Sequence, residues 1–124
     1  MMRIGELAAK SGRSIYTIRW YEAQRLMPGV ARDQGGRRTY TKLHVTWLEF
    51  LERLKRSGMS IRQMREYAAL VKRGESTLTE RRELLQAHKE RVQGKIEDLR
   101  ESIQVIDTKL DFYADKIAKR HADQ

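Results

Sequence analysis

Apolar residues at helical spacing predict two short helices at the start of the chain. Their apolar stripes consist of Ile4, Leu7, Ala8, Ile15, Ile18 and Leu26. The first helix ends at Ser11-Gly12, and Ser14 is a suitable N-cap for the second. Two helices joined by a glycine-containing turn are typical of a helix-turn-helix, which we expect over about residues 4–24.

The polar face of the second helix carries side chains that can contact bases or phosphates. They are Ser14, Tyr16, Thr17, Arg19 and Tyr21. We expect these side chains to share one exposed surface that binds DNA. An ordinary solvated helix also fits a single stretch of this kind, so the interpretation depends on what lies beside it.

A basic hairpin is predicted directly after this helix, over about residues 29–40. A Met-Pro-Gly sequence stops the helix, and two short strands flank a turn at residues 33–36. Arg37 and Arg38 can bind phosphates through their planar guanidinium groups, and Tyr40 can add a hydroxyl contact. Because neighbouring strand residues alternate faces, the sequence leaves open which arginine contacts DNA. The alternative is that the arginines only keep a strand edge soluble.

Two further helices are expected over about residues 41–73, with Thr41 and Ser60 as N-caps. Their apolar faces, which we assign to the core, consist of Leu43, Trp47, Leu48, Leu51, Leu54, Ile61, Met64, Tyr67, Ala68 and Val71. Lys55 lies near the end of the first of these helices. It either complements the helix dipole or contacts a flanking phosphate, and the sequence does not separate the two roles.

Heptad spacing dominates the chain from about residue 77 to 119 and predicts one long coiled-coil helix. The predicted dimerisation residues are Leu85, Val92, Ile96, Leu99, Ile103, Ile106, Leu110, Tyr113 and Ile117. Such a helix would be roughly 60 Å long, too long to bury its apolar stripe on the preceding segment. We therefore expect a homodimer. The charges that flank the apolar stripe do not determine whether the two helices run parallel or antiparallel. The alternative is a helical hairpin within one chain, but no turn signal divides the segment. Residues 120–124 are expected to be a tail.

The formal net charge of +9 is concentrated in the first part of the chain. Residues 1–73 contain 16 Lys and Arg against 6 Asp and Glu, whereas residues 74–124 contain 10 against 11. A basic segment attracts nucleic acid or an anionic membrane. There is no run of roughly 18 apolar residues and no signal-peptide pattern, so no membrane partner is expected. The absence of cysteine excludes disulfides, zinc fingers and thiolate sensing, and we expect a cytoplasmic location.

Several linked motifs, in this order, resemble the MerR family of bacterial transcription regulators. They are Ile4-Gly5-Glu6-Leu7-Ala8, Thr17-Ile18-Arg19-Trp20-Tyr21-Glu22, Gly36-Arg37-Arg38-Thr39-Tyr40 and the segment from Leu54 to Ile61. The resemblance covers nearly the whole chain. It implies a mainly α fold with a winged helix-turn-helix, a second helix pair, and a long dimerisation helix that forms an antiparallel coiled coil.

The resemblance also implies a mechanism. Homodimers of this family bind a pseudo-palindromic promoter operator and distort the spacer DNA, which realigns the promoter elements for RNA polymerase. Specificity then comes partly from the cost of deforming the DNA. By motif position, Tyr16, Thr17, Arg19 and Tyr21 would serve the major groove and the adjacent backbone. Arg38 and Tyr40 would serve the wing.

This chain departs from the metal-sensing members of the family because it lacks their cysteines. Four side chains could form an oxygen-rich metal site, namely Asp107, Asp111, Asp115 and His121. The aspartates also alternate with lysines as on an ordinary solvated helix face, so we expect no metal site and no cofactor. We also expect no large effector domain, because the heptads run almost to the last residue. An unidentified small-molecule effector would have to bind between the DNA-binding segment and the dimer helices; the alternative is that the signal acts in another way.

Two other classes of protein were weighed against a regulator. A coiled-coil DNA-binding architectural protein without a defined inducer would share the charge distribution but would not need a helix-turn-helix with a wing. An enzyme is not expected, because His44, His88 and His121 stand in no catalytic motif and no phosphate-binding glycine loop is present.

Overall fold

The computed structural model describes residues 1–123 and has a mainly α-helical chain with a small two-stranded sheet. In chain order the elements are α1 (Ile4–Ser11), α2 (Ile15–Ala23), β1 (Ala31–Arg32), β2 (Arg38–Thr39), α3 (Lys42–Arg56), α4 (Ile61–Arg73), a 3₁₀ turn (Glu75–Thr77) and α5 (Leu78–Ala122). The predicted fold class, a winged helix-turn-helix followed by a long helix, is confirmed. The chain divides into two compact units, the first from Met1 to His88 and the second beginning at Lys89.

Local hydrogen bonds fix the turn between α1 and α2. Gly12 has a φ of 71°, and its N–H donates to the Ala8 oxygen at 3.0 Å. Glycine adopts this left-handed conformation without a steric penalty, which ends α1. Ser14 Oγ then accepts a hydrogen bond from the Thr17 N–H at 3.0 Å and starts α2. The turn predicted from Ser11-Gly12 is therefore present.

The core of the first unit lies where α1, α2, α3 and α4 meet. Its fully buried side chains include Leu7, Ile18, Tyr21, Leu26, Tyr40, Leu48, Leu51 and Met64. At its edge, the Trp47 ring stacks on Tyr67 with centroids 5.6 Å apart, and Trp47 Nε1 donates to the Leu26 oxygen at 2.7 Å. That bond ties α3 to the chain leaving α2.

The first part of α5 belongs to this packed unit. Leu84 and Leu85 pack against its core, and His88 is buried with Nε2 2.7 Å from Ser57 Oγ. The packed unit thus extends beyond residue 73, where the DNA-binding segment was predicted to end. Leu85 was expected in the dimer seam, but it is half-buried within its own chain because it faces the core of the first unit.

In the second unit, the predicted seam residues from Ile96 onward are all exposed. Their exposed fractions run from 43% at Ile96 to 64% at Leu99. Val92 is half-buried. An apolar stripe of this length has no partner within the chain's own second unit, since that unit is a single helix.

The long helix continues past residue 119, where the coiled coil was predicted to end, and reaches Ala122. Its last turn contains Lys119, Arg120 and His121, basic side chains that complement the negative end of the helix dipole. Of the predicted tail, Gln124 lies outside the described residues.

Two leucines of α3 provide a matched test of this core. Leu48 is fully buried, whereas Leu43, which was also assigned to the core, is 78% exposed, so that assignment is wrong. Leu43 lies five residues before Leu48 and therefore on a different face of α3. We expect Leu48→Ala to lower the free energy of unfolding by about 2–5 kcal/mol, because it removes buried apolar volume and leaves a cavity. Leu43→Ala should change it by less than about 0.5 kcal/mol. Urea unfolding at one protein concentration measures both, and equal losses would contradict this placement of α3.

Candidate nucleic-acid interface

The exposed side of α2 carries three of the predicted DNA-binding side chains close together. Tyr16 is 79% exposed, and Arg19 is also exposed. Thr17 is half-buried, and its hydroxyl oxygen accepts a hydrogen bond from Ser14 Oγ at 2.9 Å. The Thr17 hydroxyl proton therefore remains free to donate to a phosphate or a base. Ser14 acts in this structure as the helix cap.

Tyr21 was expected on the exposed surface, and this expectation is wrong. Its side chain is 1% exposed and belongs to the core. Tyr21 lies three residues after Ile18, so both side chains fall on the same, apolar face of α2. Burial raises the pKa of the Tyr21 hydroxyl, with a further contribution from the nearby Glu52 carboxylate. The spacing from Ile18 could have identified this burial from the sequence.

Tyr40 was expected as an exposed wing contact, and this expectation is also wrong. Its side chain is fully buried, and its hydroxyl donates to the Glu22 carboxylate. Burial raises the pKa of Tyr40, and the bond to Glu22 raises it further. The backbone of Tyr40 pairs with Met2 through two hydrogen bonds of 2.8 Å. Tyr40 therefore anchors the wing to the core and to the start of the chain.

The wing is a short antiparallel hairpin in which Arg32 pairs with Arg38. Its turn closes through Asp33, whose N–H donates to the Arg37 oxygen at 2.8 Å. The Arg3 guanidinium donates to the Asp33 carboxylate at 2.5 Å. This bond, followed by one from the Arg37 N–H, holds the pKa of Asp33 below its usual value.

The wing arginines differ in what they contact. Arg38 Nε lies 2.6 Å from the Glu22 carboxylate, and Arg32 donates to the Gly36 oxygen at 2.6 Å. The Arg37 side chain, in contrast, is exposed and makes no hydrogen bond or ion pair within residues 1–123. The same is true of Arg19 on α2, so these two guanidinium groups are available to a ligand.

These arginines surround one cleft of about 630 Å³ between α2 and the wing, which we call the wing cleft. Its cationic lining residues are Arg3, Arg19, Arg32, Arg37 and Arg38. Sequence reasoning missed the contributions of Arg3 and Arg32. Nothing in the sequence links Arg3 to a turn thirty residues later. The alternation of strand residues around Arg32, in contrast, could have indicated that its side chain lies on the surface of the wing.

Lys55 does not belong to this cleft. It is exposed near the C-terminal end of α3, where the last turn also contains Arg53 and Arg56. Arg56 is paired with Glu52 at 3.0 Å, and Glu52 also lies 3.3 Å from Arg13. Lys55 is placed to complement the dipole of α3, and the alternative of a flanking phosphate stays a prediction.

In the described part of the chain, no helix is long and apolar enough to cross a membrane. Within residues 1–123, His, Asp and Glu side chains nowhere form a group of three or more that could hold a metal ion.

Known proteins resemble this chain along most of its length. Residues 2–70 match the family described as MerR HTH family regulatory protein, and residues 45–109 match the family described as MerR, DNA binding. An HTH-type transcriptional regulator of Haemophilus influenzae is 35% identical over 106 residues, which cover 86% of this chain and 78% of that protein. These relatives are transcriptional regulators, a non-enzyme class of protein.

Two solved structures are similar in both sequence and fold. HiNmlR, a MerR family regulator lacking the sensor domain and bound to promoter DNA, has a TM-score of 0.76 and 33% identity, covering 94% of this chain and 92% of that one. A MerR family regulator from Listeria monocytogenes has a TM-score of 0.80 and 34% identity, covering 91% and 86%. The chain therefore belongs to the MerR family of DNA-binding transcriptional regulators.

Proposed function

We propose that this regulator binds a pseudo-palindromic promoter operator as a homodimer and distorts the spacer DNA to control initiation by RNA polymerase. The observation that carries the proposal is the pair of uncommitted guanidinium groups, Arg19 on α2 and Arg37 on the wing, which line the same cleft. A helix and a hairpin that present cations from one concave surface fit the major groove and the phosphate backbone of a duplex.

Each side chain has a distinct role in the proposed interface. Arg19 and Tyr16 read base edges or adjacent phosphates from the exposed face of α2, and Thr17 adds a neutral hydroxyl donor. Arg37 binds backbone phosphate from the wing. Arg38 orients the wing through Glu22 and is half-exposed, so its remaining N–H groups also face solvent.

The homodimer rests on the exposed heptad residues of the second unit. A helix whose apolar stripe is exposed in the single chain is stabilised by pairing with a second copy. The family resemblance favours an antiparallel pair. Two interfaces at fixed spacing select a two-fold site, because half-site separation must match the dimer.

Control of transcription follows from deforming the DNA between the half-sites. Underwinding and bending a spacer costs free energy that depends on its sequence, and the contacts made by two interfaces offset that cost. The proposal includes RNA polymerase as the partner at the promoter, an unidentified small-molecule effector, and action in the cytoplasm, where bacterial promoters are found.

Footprinting on genomic fragments selected by the protein tests this function against the architectural alternative. Protection of one two-fold operator that overlaps a promoter spacer supports regulation. Uniform protection of any duplex at the same concentration would instead support a protein that coats or bends DNA without a defined operator.

Replacing Arg19 with alanine separates base recognition from backbone contact. We expect Arg19→Ala to weaken operator binding by about 1–3 kcal/mol and random-duplex binding much less, because a base contact is lost. Competition binding against both duplexes measures the ratio. Equal losses on the two duplexes would indicate that Arg19 contacts only phosphate.

The two wing arginines should respond differently to alanine. Arg37→Ala should weaken binding to all duplexes without changing the melting temperature. The slope of log binding constant against log salt concentration should fall by about one phosphate contact. Arg38→Ala should lower both affinity and melting temperature, because it also removes the ion pair to Glu22. Salt titrations with thermal unfolding distinguish the two, and a lower melting temperature for Arg37→Ala would contradict the assignment.

Two neighbouring apolar residues of α5 test the seam. Ile103 lies in the heptad stripe and is 56% exposed in the single chain, whereas Val105 lies outside it and is 71% exposed. We expect Ile103→Asp to dissociate the dimer and abolish tight operator binding, and Val105→Asp to leave both unchanged. Analytical ultracentrifugation measures the association. A dimeric Ile103→Asp protein with full operator affinity would overturn the proposed seam.

A further inference from the structure

Arg25 has a backbone conformation that arginine rarely adopts. Its φ is 62°, and it is the single non-glycine residue with a positive φ among the described residues. A β-carbon makes this left-handed conformation unfavourable, which is why glycine is usual at such a position after a helix. The presence of arginine at a position that favours glycine suggests that its side chain has a role.

Contacts on both sides hold the backbone at Arg25 in place. The Leu26 N–H donates to the Tyr21 oxygen at 2.9 Å, and the Leu26 side chain is fully buried. The Arg65 guanidinium of α4 donates to the main-chain oxygen of Gln24 at 3.0 Å and to its side-chain oxygen at 2.9 Å. The turn is thus fixed by its neighbours, and glycine would occupy it at lower cost.

Arg25 lines a cleft of about 670 Å³ between the end of α2 and α4, which we call the α2–α4 cleft. The charged residues that line it are Glu22, Arg25, Arg62, Arg65, Glu66 and Lys72. Glu22 is already paired with Arg38, and Glu66 lies 3.8 Å from an 89% exposed Arg62. Cations outnumber carboxylates, so the cleft is positively charged.

The cationic groups of this cleft differ in their availability. Arg65 is committed to Gln24, whereas the exposed Arg25 guanidinium makes no hydrogen bond or ion pair within residues 1–123. Glu22 lines both the wing cleft and the α2–α4 cleft. The two positively charged surfaces therefore meet at the C-terminal end of α2.

We infer that the α2–α4 cleft is a second phosphate-binding site, in which Arg25 binds a backbone phosphate of the operator duplex. The planar guanidinium provides paired donors for phosphate oxygens, and Arg62 and Lys72 add positive charge around it. Glycine would avoid the unfavourable backbone but could not supply these donors, so the retained arginine indicates a role for its side chain. This inference rests on the proposed function, because it extends the same interface past the end of α2.

Replacing Arg25 with glycine in the full-length protein separates the effect of the side chain on DNA affinity from the effect of the backbone on stability. Arg25→Gly removes the guanidinium and relieves the left-handed strain, so the melting temperature should stay the same or rise. Affinity for operator and for random duplex should both fall roughly five- to tenfold, with a salt dependence shallower by about one phosphate. Arg25→Lys, which keeps the charge, should retain most of the salt dependence.

Arg91→Ala is the control for net charge, because Arg91 is exposed on the long helix and lines neither cleft. It should leave affinity and salt dependence close to those of the wild-type protein. If Arg25→Gly also binds with wild-type affinity and salt dependence while Arg19→Ala weakens binding, the inference is wrong and the proposed function stands. If the wild-type protein protects no operator, the proposed function itself fails.

A comparison with inorganic phosphate tests whether the α2–α4 cleft binds a phosphate of DNA or a free phosphate ion. Thermal unfolding in phosphate and in chloride, at equal ionic strength, is compared for the wild-type protein and Arg25→Gly. No difference between the two salts supports a site that needs the duplex. Phosphate stabilisation that Arg25→Gly abolishes, with DNA affinity unchanged, would assign the cleft to a free anion and overturn the inference.

Discussion

The arrangement of the proposed DNA-binding surface depends on the carboxylate of Glu22. It accepts a hydrogen bond from the hydroxyl of buried Tyr40 and lies 2.6 Å from Arg38. One side chain of α2 therefore contacts the first residue of β2 and the residue that follows the strand. The Glu22 side chain is 15% exposed, and removing it would leave a buried hydroxyl without its acceptor. The wing and α2 can therefore present a single concave surface. Without this contact, a two-stranded hairpin would be only marginally stable in a fixed orientation.

Carboxylates also decide which cations remain available. Five arginines line the wing cleft. Glu22 and Asp33 engage Arg38 and Arg3, and the Gly36 carbonyl accepts a hydrogen bond from Arg32. Arg19 and Arg37 stay uncommitted, one on the helix and one on the hairpin. A net positive charge alone favours any duplex, whereas a few free groups at fixed positions favour a particular one. The excess of basic residues in the first part of the chain attracts any DNA duplex. The internal ion pairs determine which arginine side chains stay free and where they lie.

Much of this arrangement could be predicted from local patterns. The helix-turn-helix follows from Ser14, Gly12 and the apolar spacing, and the long helix follows from its heptads, because both depend on neighbours close in sequence. Tyr40 was assigned to the wrong environment because its partner Glu22 lies eighteen residues away, and no local pattern links the two. Leu85 fits a heptad equally well in a dimer seam or against its own core. Tertiary packing, which the sequence does not display, decides between them.

We propose that two copies of this surface, joined by paired long helices, recognise one two-fold operator. Sedimentation equilibrium with a full operator and with an isolated half-site tests it most directly, because it measures both stoichiometry and affinity. We expect two chains on each full operator and much weaker binding to the half-site. One chain on each full operator, with the same affinity for the half-site, would contradict it.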